Sequence, residues 1–171
     1  MEIRIRATGQ VMFWSEFREL LLSQNPTELI TVAPQTEEWI NAHGADIVFE
    51  GPQATGGTVY QFSMRQGVEQ DADGRWFTKY VLGPIFTDLP ATEFSPAQTA
   101  AEQEAAYKAT RDAEQAARVR DQRTQKLKDC DWTQLADSPV DKAVWATYRQ
   151  TLRDVPTQAG FPWTVVWPDA P

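Results

Sequence analysis

The sequence predicts an α+β protein: a small N-terminal α+β domain with a β-hairpin (residues 1–94), a long central α-helix (95–130) and a short helical C-terminal module (131–171). An alternating apolar pattern broken by an Asp-Gly turn marks the first part. A run from Ala97 to Asp129 without Gly or Pro marks the second. The third is set apart by Trp132, Trp145, Trp163 and Trp167, four of the chain's seven tryptophans. With 42% apolar and 11% aromatic residues over 171 positions, the chain has the material for a core, and wholesale disorder is excluded.

The first part opens with Ile3 and Ile5 alternating with Glu2, Arg4 and Arg6, the period-2 pattern of a half-buried strand. Ser15 is the expected cap of a short helix carrying Phe17, Leu20 and Leu21, which Asn25-Pro26 ends. A second helix is expected from Thr36, with Glu37 and Glu38 in its first turn and Gly44 after its last residue. Ile47, Val48 and Phe49 read as a strand. Tyr60, Phe62 and Met64 alternate with polar residues, Asp71-Ala72-Asp73-Gly74 supplies turn chemistry, and Trp76, Thr78, Tyr80 and Leu82 return as the second arm of a hairpin.

The central helix is expected to start with Ser95 as N-cap, Pro96 in its first position and Gln98 closing a capping box. Its large apolar side chains are Tyr107, Val119 and Leu127, beside a thin row of alanines at 101, 105, 106, 109, 113, 116 and 117. So narrow a stripe predicts a connector or an oligomer seam rather than a core helix. Beyond it, Ser138-Pro139-Val140-Asp141 reads as the start of another helix bearing Val144, Trp145, Tyr148 and Leu152 on one face, stopped at Val155-Pro156. About forty residues rarely fold unaided, so this segment is expected to pack on a partner or on the long helix.

Charge follows the same division. Residues 1–94 hold six basic and thirteen acidic side chains, 95–132 hold seven of each, and 133–171 hold three and four. A net charge of −8 argues against duplex DNA or an anionic membrane surface as partner. The basic residues Arg118, Arg120, Arg123, Lys126 and Lys128 are expected to form a solvated helix face that pairs with the acidic first part or with a neighbouring chain. One cysteine, Cys130, excludes an internal disulfide and suits a reducing compartment; acidic neighbours Asp129 and Asp131 favour a buried packing thiol over a reactive one. The N-terminus lacks the layout of a signal peptide, and no apolar run approaches the roughly 20 residues of a membrane-spanning helix.

Little here suits catalysis. His43 is the sole histidine and reads as a helix C-terminal residue beside Gly44. Glu69, Asp71, Asp73 and Gly74 imitate the opening of a calcium loop, but Tyr80 stands where the bidentate glutamate belongs, so the turn is the better account. Gly56-Gly57 lacks the lysine and hydroxyl of a phosphate loop. No catalytic residue, metal site or cofactor is expected.

Residues 131–171 resemble the C-terminal segment of bacteriophage tail and tail-fibre assembly proteins of the tail assembly chaperone type. The features shared are the DWTQL opening at Asp131–Leu135, the WATYRQTLRD helix at Trp145–Asp154 and the closing GFPWTVVWP at Gly160–Pro168. A weaker resemblance to small phage tail-region proteins lies in ATGQVM at Ala7–Met12, FEGPQATGG at Phe49–Gly57 and GRWFTKYVLGPIF at Gly74–Phe86. The resemblance implies a non-enzymatic protein that binds a tail-fibre or baseplate protein, either as a transient chaperone in the host cytoplasm or as a part retained in the virion tail. Trp132, Trp145, Tyr148, Arg149, Phe161, Trp163 and Trp167 are the candidate partner-binding residues, with Trp145 and Leu152 expected inside and Trp163 and Trp167 partly at the contact. A homo-oligomer through the long helix is a further expected association. The alternatives are a phage-encoded regulator that binds a host protein and, less well supported, a small hydrolase.

Overall fold

The computed structural model describes residues 1–27 and 29–171, which form two compact units, Met1–Ile85 and Phe86–Pro171. The architecture is mixed α+β, with the long helix in the second unit.

The first unit holds strands β1 (Glu2–Ile5), β2 (Val11–Phe13), β3 (Ala45–Phe49), β4 (Phe62–Gln70) and β5 (Trp76–Gly83), and helices α1 (Trp14–Gln24) and α2 (Glu37–Ala42). The five strands make one sheet in the order β2-β1-β3-β5-β4, antiparallel throughout except for the parallel β3–β5 pair. Ile3, Phe17 and Ile40 are almost wholly buried, with Trp14, Leu21, Ile30 and Ala45 around them. Each such large side chain contributes about 1.5–3 kcal/mol by leaving water. The sheet curls: Arg65 on β4 forms a two-pronged ion pair with Glu2 on β1, three places away in strand order.

Three local readings change here. β2 is a strand that three residues of sequence do not announce. It runs directly into α1, which starts at Trp14 with Phe13 as its cap position, so Ser15 lies inside the helix; the Glu16 carboxylate accepts from the Phe13 N–H at 2.8 Å. In the hairpin, Tyr60 falls in a turn ahead of β4 instead of in the strand, while α2, β3 and the two arms from Phe62 and Trp76 stand as expected. Thr36 Oγ1 accepts from the Trp39 N–H, and Gly44 takes the left-handed conformation (φ +73°) after α2. In the hairpin turn, the Asp71 carboxylate accepts from the N–H groups of Asp73 and Arg75 at 3.0 and 2.8 Å, which is the work of a turn residue.

The second unit is built on α3 (Ala100–Asp129), a single turn of 3₁₀ helix at Asp131–Gln134, and α4 (Lys142–Asp154). The cap of α3 is Thr99 rather than Ser95. Thr99 Oγ1 accepts from the Glu102 N–H, and the Glu102 carboxylate accepts from the Thr99 N–H at 2.8 Å, a complete capping box. Ser95 instead closes a turn with Thr92, and Gln98 pairs its backbone with Leu89. Both signatures were present in the sequence; the one with an acid at its third position prevails, where the helix dipole favours negative charge.

Candidate partner-binding site in the C-terminal module

The inward stripe of α3 runs through Tyr107, Arg111/Asp112, Ala116, Val119, Arg123, Lys126/Leu127 and on to Cys130, each step three or four residues. Ala116 and Val119 are buried on it. The stripe is narrow, as the sequence indicates, yet it does anchor a core, because the chain after α4 folds back along it. Trp163 donates from Nε1 to the Asp112 carboxylate at 2.6 Å. The Arg120 guanidinium lies 5.2 Å from the Phe161 ring, and the Lys126 ammonium 5.5 Å from the Trp167 ring. Two of the five basic residues, Arg120 and Lys126, thus lie over aromatic rings of the tail of their own unit, while Arg118, Arg120 and Lys128 keep the exposure of a solvated face.

The return of the tail has a visible mechanism. Asp141 caps α4 by accepting from the N–H groups of Ala143 and Val144, and Val155–Thr157 forms a 3₁₀ turn that ends it. Gln158 then clasps Val166, its side chain accepting from the Val166 N–H and donating to the Val166 carbonyl, both at 2.8 Å. The loop between them is tight enough that a Cβ at Gly160 would meet the Thr164 carbonyl.

Leu152 and Val155 are fully buried, Cys130 is 3% exposed, and Tyr148 closes the same core against Leu127, Trp145 and Trp167. Arg149 is buried too. Its Nη1 donates to the Leu127 carbonyl at 2.8 Å and to Cys130 Sγ at 3.0 Å, and its Nη2 donates to the Asp131 carboxylate at 2.7 Å. Cys130 is thus the packing thiol expected of it. Burial raises the Tyr148 hydroxyl above its ordinary range, helped by its neighbours Cys130 and the Asp129 carboxylate. The bond to Asp131, ahead of the contact with Cys130, keeps Arg149 firmly charged.

Of the seven candidate residues, Tyr148 and Arg149 thus lie inside the module. Trp145, Phe161, Trp163 and Trp167 are half-buried, and Trp132 is 49% exposed. Trp132, Trp145 and Tyr148 form an aromatic row, with ring centroids 5.9 and 5.6 Å apart in succession. Sequence reasoning missed Leu135, Val144 and Val166, which are exposed apolar side chains of the same unit. Val144 falls on the apolar face of α4 in any helical projection, so only its outward position was hidden. A groove of about 360 Å³ lies beside the row, lined by Val144, Thr147, Tyr148, Thr151, Pro168 and Asp169.

Elsewhere, His43 stacks on Trp39 at 3.6 Å with Nδ1 2.7 Å from the Trp39 carbonyl, a helix-end arrangement. Among the described residues no helix is long and apolar enough to cross a membrane, and no three His, Cys, Asp or Glu side chains are grouped to hold a metal ion.

What this geometry defines is a helical module whose core is closed by its own aromatic tail and whose outward features are apolar contacts. Residues 116–171, about a third of the chain, match the family of the phage tail assembly chaperone protein. The C-terminal segment is thus similar to the tail assembly chaperone family that its motifs resemble, and the match supports a role in phage tail assembly. It begins at Ala116 rather than Asp131, taking in the half of α3 on which the tail packs and the first buried residues of that helix. No curated protein and no solved structure matches the chain.

Proposed function

We propose that this chain assists phage tail assembly by binding, without catalysis, and that its C-terminal module covers apolar surface on a tail-fibre or baseplate protein during assembly. The observation that carries the reading is the family match over 116–171, falling on a segment with a closed core of its own. A module that needs no partner to bury Leu152 and Val155 keeps Trp132, Leu135 and Val144 for contact with another protein. Self-association, if the protein uses it, falls to the outward alanines of α3 at 101, 105, 109, 113 and 117.

The test is mass spectrometry of purified particles together with deletion of the gene. Tails that fail to assemble without the chain, while finished particles lack it, identify a transient chaperone. A whole-number ratio to a fibre or baseplate protein identifies a retained component. Normal tails after deletion, with the chain absent from particles, overturn the reading.

A further inference from the structure

We infer that Arg120, Arg123 and Lys126, set along the side of α3 that the aromatic tail follows, bind a carboxylate-rich segment of the partner protein. This rests on the assembly role proposed above and names the chemistry of what the module takes up.

The three cations stand three residues apart, so each neighbours the next on the helix surface. The tail positions the outer two. The Arg120 guanidinium faces the Phe161 ring and the Lys126 ammonium the Trp167 ring, and the tail is itself tied down by the bond from Trp163 to Asp112. A ring takes the face of such a cation and leaves N–H groups for an anion. Arg123, between them, is half-buried, and its Nε is buried without an acceptor. The ion pairs of this unit join Lys108 to Glu104, Arg111 to Glu114 and Arg149 to Asp131; among the described residues none of the three cations has a carboxylate partner.

The carboxylates of the matched segment are engaged or lie elsewhere. Asp131 accepts from Arg149, Asp141 caps α4, Asp154 takes the Gln150 amide, and Asp129, one turn on from Lys126, takes that of Gln125. Asp169 lines the groove beside Val144, and Asp137 lies in the loop before α4. Asp121 falls with exposed Arg118, Gln125 and Lys128 on the other side of α3. The tail side of α3 therefore holds three cations and no anion.

A cationic donor without an acceptor is costly to keep, and a carboxylate is the acceptor that a guanidinium edge fits best. The net charge of −8 disfavours a long polyanion such as nucleic acid, whereas a short acidic segment feels chiefly the charges within about 10 Å. Both points favour an acidic stretch of protein.

The test is titration calorimetry of the full chain with two short peptides of one length, the first bearing alternate aspartates and the second lysines in their place. An oligothymidylate of the same charge as the first is the third probe. The acidic peptide alone should bind, several-fold more weakly in high salt. Arg123→Met keeps the aliphatic packing and removes the unmet donor. It should lower that affinity about tenfold and leave the thermal midpoint unchanged or raised. Lys128→Gln, on the exposed side, should keep the affinity within about twofold. No binding of the acidic peptide, equal or tighter binding of the oligothymidylate, or equal losses in Arg123→Met and Lys128→Gln overturns the proposal. A lower midpoint in Arg123→Met assigns that residue to the core and overturns it as well. So does a dimer that Arg123→Met dissolves, which would seat the acidic first part of a second copy there. Capture of purified fibre and baseplate proteins separates the proposal from the broader reading. If Arg123→Met still captures what the unaltered chain captures, the docking proposal falls and the assembly role stands; if the unaltered chain captures none, the assembly role falls and the peptides alone judge the three cations.

Discussion

Arg149 closes the C-terminal end of α3 from a different helix. The last carbonyls of an α-helix lack intrahelical donors and carry partial negative charge, so a guanidinium on the Leu127 carbonyl answers both needs. Arg149→Ala should leave Asp131 and the Leu127 carbonyl short of a donor and cost about 2–3 kcal/mol, read as a lower urea midpoint. The figure is kept below that of a fully buried pair because Asp131 is largely exposed. Arg153→Ala, on the exposed side of the same helix, should stay within about 0.5 kcal/mol. Glu2 gives the residue-scale pH dependence. Its bidentate bond from Arg65 holds the carboxyl below the ordinary carboxylate range. A lowered folded value means stability that is complete above the unfolded value and lost as pH falls through the folded one. Arg65→Gln should therefore reduce stability at neutral pH and flatten the acid limb of the unfolding curve; an unchanged acid limb would refute the assignment.

Capping decides where α3 begins, and the competing signals make that testable at the scale of an element. Thr99→Ala should cost about 1 kcal/mol of helix stability, whereas Ser95→Ala should shift it by a few tenths, as followed by far-ultraviolet circular dichroism on heating. Glu102, lowered by the backbone and side-chain bonds from Thr99, adds a cap contribution that is present above the ordinary carboxylate range and fades in acid. The same contrast shows what local sequence can and cannot convey. The β3 strand, the hairpin, α2 and the apolar face of α4 were legible because their periods and turn residues lie within a few positions of one another. β2 was not, since three residues carry no period. The start of α3 was ambiguous because two capping boxes stand back to back, at 95–98 and 99–102. The tail was illegible for another reason: Trp163 and Asp112 meet across 51 positions, and Arg149 and Leu127 across 22. The basic helix face reads as surface and the aromatic run as packing on a partner or on the long helix, but which residues meet is set only by the folded chain. The candidate site fared accordingly. Its segment was marked by its motifs, but which aromatics point outward depends on contacts that no spacing rule supplies.

At the scale of the whole chain, the family match and the compact unit do not have the same boundaries, and the difference has consequences. The unit spans Phe86–Pro171, the match residues 116–171. Upstream of the match lie the Thr99 cap, the Asp88 carboxylate that accepts from the Ala100 N–H, the Phe86–Tyr107 ring contact, and Asp112, which holds Trp163. A fragment of residues 86–171 retains all four and should unfold cooperatively, with near-ultraviolet dichroism from its ordered tryptophans. A fragment of residues 116–171 loses all four. It also falls into the size range, near 60 residues, where a single core is marginal. It should melt at lower temperature, and its Trp163 should become accessible to acrylamide quenching before Trp145, whose ring is held between Trp132 and Tyr148 inside the fragment. Equal melting of the two fragments would mean that the upstream half of α3 adds nothing to the module, leaving it a spacer as the alanine-rich sequence first suggests. Unequal melting would instead make that half part of the module's fold, and residues 86–171 the smallest piece on which to measure partner binding.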